Sequence, residues 1–217
     1  MAQFAVIGLG RFGAAASLEL IRMGHLVLGV DADSKIIEKY ADKLSRTAIA
    51  DASDGATIEE LGLDHYDVVL VAIGENIQAS LLCVVHLKTL GIQNVWVKAS
   101  SHAQHLILSK LGVSRVIHPE EEMGVRVAQA LSYPMVNDYI PIGNGEFVVE
   151  IRVSDRLDGK PLSSFLNGGR DMPEVLLIKH RSEAITHPPA DHVVYAKDLL
   201  VLFGTLESLR ALAPRLA

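Results

Sequence analysis

The chain opens on a short apolar run, residues 4–7, that breaks into Gly8-Leu9-Gly10-Arg11-Phe12-Gly13 and resumes as an Ala- and Leu-rich helical pattern over 14–23. A second apolar run, 26–30, ends on Asp31. Unbroken runs of this kind fit strands buried on both faces better than strands with one face in water. The alternation of strand and helix then continues. A helix is expected from Asp33 or Ser34 to about Leu44, with Ser34 as its N-cap, and a short strand over 47–50 ends at Asp51. Ser53 opens a further helix, 68–73 reads as the central strand after the crossover, and 95–97 and 116–117 give two shorter strands, each after a helix. Six strands with intervening helices predict an α/β fold, a Rossmann-like doubly wound parallel sheet. Its ligand crevice lies beyond the carboxyl ends of the strands. The residues expected at those ends are Gly8, Asp31, Asp51, Gly74, Lys98 and His118.

Two helical segments depart from a simple amphipathic pattern. Over 77–90, Ile77, Leu81, Leu82, Val84, Val85, Leu87 and Leu90 set apolar groups around almost the whole circumference, and 102–111 adds Leu106, Ile107 and Leu108 in succession. A helix lying on one sheet face needs one apolar stripe, so this pattern calls for a second cover. A subunit interface is the expectation, with a folded-back second domain as the alternative. The segment His118-Pro119-Glu120-Glu121-Glu122 starts another helix, with proline in its first turn and acids where the dipole favours them. That helix ends before Tyr133-Pro134, and the stretch 132–145, with two prolines and two glycines, reads as a boundary. The division expected is 1–135 for the nucleotide domain with its crossover helix, and 136–217 for a linker and a small α+β lobe. In that lobe strands are expected over 147–153, 175–179 and 199–203, with a minor one at Ile185. A short helix is expected over 162–166 and a last helix from Thr205 or Leu206.

The glycine run carries the chemistry. In G-x-G-x-x-G the first glycine permits a tight turn, the second lets backbone approach a pyrophosphate, and the third lets helix pack closely on strand. The helix N-terminus adds free N–H groups and a positive dipole end. Gly8, Gly10, Arg11, Phe12 and Gly13 are therefore the candidate nucleotide contacts. Asp31, 18 residues past Gly13, is placed to accept from the ribose hydroxyls. Arg11 can fork onto phosphate oxygens, which favours a ligand rich in phosphate charge, or it pairs with a neighbouring carboxylate. Asp51 is either an adenine-side contact or a turn residue. Lys98 is either a point charge for phosphate or a solvated strand end. Glu120 is the choice for a divalent cation beside a polyphosphate, against a role as a dipole-stabilising acid in the first turn.

Composition narrows the function. The chain has 217 residues, 49% hydrophobic and 21% charged, which suits a folded globular protein. Its net charge of −6 argues against general nucleic-acid binding. The single cysteine, Cys83, allows no internal disulfide and fits a reducing compartment. Neither a secretory leader nor a membrane-spanning run is expected, so any membrane role comes through a partner. The nine histidines have no metal-ligand spacing, no nucleophile elbow is present, and no acid–base pair stands by the nucleotide. An NAD(H)-dependent oxidoreductase would need such a pair. A redox-sensing transcription factor would need a DNA-reading helix.

FAVIGLGRFG at 4–13, RMGHLVLGVD at 22–31, VAIGENIQAS at 71–80, NVWVKA at 94–99 and RVIHPEEEMGVRVAQAL at 115–131 together resemble the cytosolic RCK (KTN) regulators of bacterial K⁺ uptake, of the KtrA/TrkA type, and KtrA most. The C-terminal lobe resembles RCK-C through LDGKPL at 157–162 and DLLV at 198–201, with Lys197 standing where the family usually has glycine. The resemblance implies homodimers assembling into a homo-octameric ring under an integral membrane K⁺ channel subunit of KtrB/TrkH type. It places the protein in the cytoplasm at the inner face of the membrane. It also implies ATP and ADP as opposing ligands; NAD(H) is the alternative, and with no residues placed to carry catalysis no enzymatic activity is expected. Gly8, Gly10, Arg11, Gly13 and Asp31 match the nucleotide motif. Lys98 and Glu120 match adjacent phosphate and cation positions, the cation being Mg²⁺ or Ca²⁺. Some members of the family also bind cyclic di-AMP between paired C-terminal lobes.

Overall fold

A computed structural model describes residues 1–132, 136–166 and 172–216. The chain divides into two compact units, Met1–Glu122 and Met123–Ala217. The first holds strands β1 (Gln3–Ile7), β2 (Leu26–Asp31), β3 (Arg46–Ile49), β4 (Val68–Val71), β5 (Val95–Lys98) and β6 (Arg115–Ile117). Between them lie helices α1 (Arg11–Arg22), α2 (Ser34–Tyr40), α3 (Gly55–Glu60), α4 (Ile77–Thr89) and α5 (His102–Lys110), while α6 (Pro119–Ser132) runs from the first unit into the second. The six strands are all parallel, in the order β3-β2-β1-β4-β5-β6. The order reverses between β1 and β4, and this switch point is where an open α/β sheet accepts a ligand.

The apolar runs are continuous because both faces of the sheet are covered. Ala5 and Ile7 of β1 join Leu28, Val30, Val69, Val71, Val95 and Val97 in one core with Val84, Leu87 and Leu108 from α4 and α5. The intervening residue Val6 joins Val27 and Leu9 in the other, against Ile37 of α2, with Phe4 and Ile21 packed on it. Successive side chains of one strand thus enter opposite cores, as strand geometry requires. Cys83 is fully buried in the first core, and burial pushes its thiol up to about 12.

Several helix starts differ from expectation. Asp33, not Ser34, caps α2, its carboxylate accepting from Lys35 N, and α2 ends at Tyr40 rather than near Leu44. Asp33 takes the cap because its own N–H is held by Asp31 Oδ1, which fixes it in extended geometry one residue earlier. Likewise Asp54 caps α3, and Ser53 binds Asp51 instead. The all-round apolar pattern of α4 divides sharply. Cys83, Val84 and Leu87 are buried, whereas Ile77, Leu82, Val85 and Leu90, with Leu106 and Ile107 of α5, stand exposed.

The second unit carries a five-stranded antiparallel sheet in the order β11-β10-β13-β8-β7. Its strands are β7 (Val136–Gly143), β8 (Glu146–Arg152), β10 (Glu174–His180), β11 (Glu183–Thr186) and β13 (Leu199–Thr205). A small ladder pairs β9 (Lys160–Pro161) with β12 (Val193–Val194), and helices α7 (Ser163–Leu166) and α8 (Leu206–Leu216) complete it. Part of the stretch expected as a linker is strand β7, an edge strand on which Pro141 is tolerated. Tyr139 of β7 packs on Phe147 of β8 and enters the core with Ile151, Leu200, Leu202 and Leu212. Tyr133 and Pro134 of that boundary lie outside the described residues.

Lys197 precedes β13 with φ +75. That left-handed conformation favours glycine, which accounts for the residue the family usually has there. We expect Lys197→Gly to stabilise the protein by about 0.5–1 kcal/mol, read as a raised denaturant midpoint at unchanged slope.

Candidate nucleotide-binding site

The glycine turn sits at the switch point because β1 and β4 are hydrogen-bonded neighbours whose ends separate there. Gly8 has φ +94, and a Cβ on it would lie 3.1 Å from the backbone of Ala72 and Ile73 just past β4. Gly13 is tighter, since a Cβ there would fall 1.9 Å from Gly8 O and 3.1 Å from Ala72 Cβ. Both are glycines for reasons internal to the fold. Gly10 is different. Its φ of −62 suits any residue, and a Cβ would meet nothing within 4 Å. Open space in front of a backbone with no steric need for glycine is the cradle a pyrophosphate would fill.

Gly10 is the N-cap of α1, and no side chain caps this helix. The first intrahelical bond runs from Ala14 N–H to Gly10 O, so the N–H groups of Arg11, Phe12 and Gly13 have no partner inside the helix. Phe12 contributes backbone here while its ring packs on the second core. Arg11 is the first residue of α1 and is exposed, and among the described residues no hydrogen bond or ion pair holds its guanidinium.

Asp31 closes the other side of the crevice. Its Oδ2 accepts from Leu9 N at 2.7 Å and its Oδ1 from Asp33 N at 3.0 Å. The acid expected to read a ribose therefore also ties the end of β2 to the glycine loop. Asp51 is exposed beyond β3, and the Ser53 hydroxyl and N–H hold its carboxyl below the usual range, an arrangement that serves the local turn.

On the other side, Lys98 ends β5 with a side chain only 12% exposed and donates to Glu120 Oε1 in the first turn of α6. Its Nζ lies 3.1 Å from where a Cβ of Gly74 would be. The Lys98 hydrogen bond holds the Glu120 carboxyl below its ordinary range, and the charge of Arg11 adds to the effect. The structure thus brings Arg11, Lys98 and Glu120 into one electrostatic neighbourhood. Among the described residues, no three His, Cys, Asp or Glu form a group arranged to hold a metal ion.

Sequence reasoning passed over Gln104 and placed Gly74 and His118 at strand ends without their contacts. Gly74 leaves room for the Lys98 ammonium. Gln104 of α5, buried, accepts from Ser100 N at 2.9 Å and reaches Ser80 of α4 at 3.4 Å, joining both exposed apolar helices to the strand end after Lys98. His118, after β6, stacks on His105 with Nε2 2.9 Å from His105 Nδ1. No local motif announces these contacts, because each joins segments that are distant in sequence.

A parallel sheet reversing at a glycine crevice, with an acid after β2, defines a Rossmann-type nucleotide-binding domain, here followed by a small α+β unit. The family model for the TrkA-N domain matches residues 4–119. The chain is 40% identical to the Ktr system potassium uptake protein A of Bacillus subtilis (strain 168), over 93% of this chain and 91% of that protein. Among solved structures, the GsuK RCK domain superposes with a TM-score of 0.67 at 15% identity, covering all of this chain and 48% of that one. The GsuK channel bound to NAD does so with a TM-score of 0.60 at 14% identity, covering all of this chain and 39% of that one. The chain belongs to the TrkA-N family and is a relative of the Ktr system potassium uptake protein A.

Proposed function

We propose that this protein is a cytosolic nucleotide-sensing gating subunit for a K⁺ channel of the Ktr/Trk type. ATP and ADP exchange in the glycine crevice and change the shape of a ring of subunits, an octamer by resemblance, docked on the membrane subunit. The observation that carries the reading is the exposed Arg11 guanidinium at the start of α1, held by no hydrogen bond or ion pair among the described residues and beside the open space at Gly10. A cation so placed discriminates ligands by phosphate charge, which a redox sensor has no need to do. Across a dimer, Arg11 of one subunit would meet the γ-phosphate held by its neighbour. The exposed apolar residues of α4 and α5 supply a surface for such assembly.

Only differential binding to two ring shapes can move a gate. Shifting the balance from 1:99 to 99:1 takes roughly 5.5 kcal/mol, a modest demand on each of several coupled sites. Glu120 is the cation ligand in this reading, for Mg²⁺ or Ca²⁺ shared with phosphate oxygens. NAD(H) is the second reading, because Asp31 would accept from its ribose equally well and a structurally similar channel is described with NAD bound.

Titration with ATP, ADP and NADH separates the two. For Arg11→Ala we expect ATP affinity to fall by about 30-fold or more while ADP affinity falls less than about threefold, consistent with one lost charge-assisted contact to the terminal phosphate. Tight NADH binding, indifferent to Arg11, would replace this proposal with a redox-linked regulator.

A further inference from the structure

Lys98 and Glu120 form an ion pair of unequal members. The lysine side chain is 12% exposed and the glutamate side chain 67%. A cation this deep is costly to leave without an anionic partner, whereas an exposed carboxylate loses little when it returns to water. Gly74 leaves the ammonium its place, and among the described residues no backbone group accepts from it. Any polyphosphate that reaches past Gly10 toward β5 therefore meets a lysine already engaged, with a carboxylate beside it that repels the incoming charge.

From this asymmetry we infer that Glu120 is an internal competitor for Lys98, and that the pair is a latch an incoming polyphosphate opens. The inference rests on reading the crevice as a nucleotide site and specifies how that site is regulated. Burial decides which partner leaves. Lys98 stays in place and exchanges one anion for another, while Glu120 swings to solvent. A divalent cation helps by taking over the released carboxylate together with phosphate oxygens, so that neither anion is left facing the other. Two consequences follow. Glu120 lowers polyphosphate affinity when no cation is present, and it is the residue through which a cation raises that affinity. By linkage, the polyphosphate raises cation affinity by the same factor.

A double-mutant cycle read by calorimetry tests this, using wild type, Glu120→Gln, Lys98→Met and the double variant. Each is titrated with ATP and with inorganic tripolyphosphate, in chelator and in Mg²⁺ or Ca²⁺. Glu120 is exposed and glutamine keeps an acceptor oxygen for the Lys98 ammonium, and the melting curve of each variant checks its fold before titration. We expect Glu120→Gln to tighten cation-free ATP binding by about tenfold and to remove most of the enhancement by the cation. In the Lys98→Met background the same change should give less than about a threefold gain, because there is no latch left to open. An unchanged or weakened affinity in Glu120→Gln overturns the latch. An equal gain with and without Lys98 also overturns it, since that is through-space repulsion alone. If ATP binds and the variants are additive, the latch falls and the nucleotide reading stands. If tripolyphosphate shows the coupling where ATP does not bind, the latch stands and the nucleotide reading falls. Binding of neither probe to any variant overturns both.

Discussion

Gly13→Ala is expected to lower the stability of the N-terminal unit by about 3 kcal/mol or more and to abolish measurable nucleotide binding. The added methyl would fall 1.9 Å from Gly8 O, and that oxygen belongs to a residue whose N–H is fixed by Val30 O. No rotamer relieves the clash, because a Cβ has no freedom of its own. The first turn of α1 must lift off β1 by an ångström or more. Overpacking of this kind typically costs 1–3 kcal/mol, and a backbone obstacle places it at about the upper end. A fall in melting temperature of roughly 10 °C would accompany it. The same movement displaces the Arg11, Phe12 and Gly13 N–H groups at the start of α1, so binding is lost with the packing. Gly10→Ala is the control that separates the two effects. Its φ of −62 and its empty surroundings predict a melting temperature within about 1 °C of wild type, with binding weakened because the methyl enters the ligand's space. Equal destabilisation by the two substitutions would mean that the third glycine is not a packing residue. Undiminished binding in Gly10→Ala would mean that the open space is not the ligand's.

The contrast between these glycines shows what could be read in the sequence. The motif names three glycines and assigns them different duties; the structure shows a tight turn at Gly8, close packing at Gly13 and open space at Gly10. The parallel sheet was legible for a related reason: strands buried on both faces must be uniformly apolar, and 4–7, 26–30 and 68–71 are. Helix starts were less legible. Asp33 and Ser34 are both good caps, and only the bond from Asp33 N to Asp31 Oδ1, a tertiary detail of the crevice, selects between them. Strand β7 was hidden because its proline and flanking glycines imitate a linker, and an edge strand bears a proline without losing its ladder on the inner side. Arg11, Lys98 and Glu120 could each be nominated singly from their places in the pattern. That Lys98 holds Glu120 could not, since the pair spans 22 residues and three loops.

Asp31→Asn should raise the dissociation constant for adenine nucleotides by about 30-fold, although it changes one atom and no volume. The carboxylate accepts two backbone N–H groups through different oxygens, Leu9 N on Oδ2 and Asp33 N on Oδ1. An amide has a single acceptor oxygen, so one of these donors must face an NH₂ group and lose its partner. The unsatisfied donor costs about 1–2 kcal/mol, a drop that chemical denaturation would register. Where the NH₂ group faces Leu9 N, the glycine loop keeps only the bond from Gly8 N–H to Val30 O as its tether to β2. A ribose hydroxyl that had found an acceptor at the same carboxylate loses it too, and this part of the effect can be isolated. Wild type should bind 2′-deoxy-ATP about tenfold more weakly than ATP, whereas Asp31→Asn should bind the two alike. If wild type is indifferent to the 2′-hydroxyl and the variant still loses affinity, Asp31 acts only as the brace of the loop. The ribose must then be recognised elsewhere along the crevice, with Asp51 beyond β3 the next carboxylate to substitute.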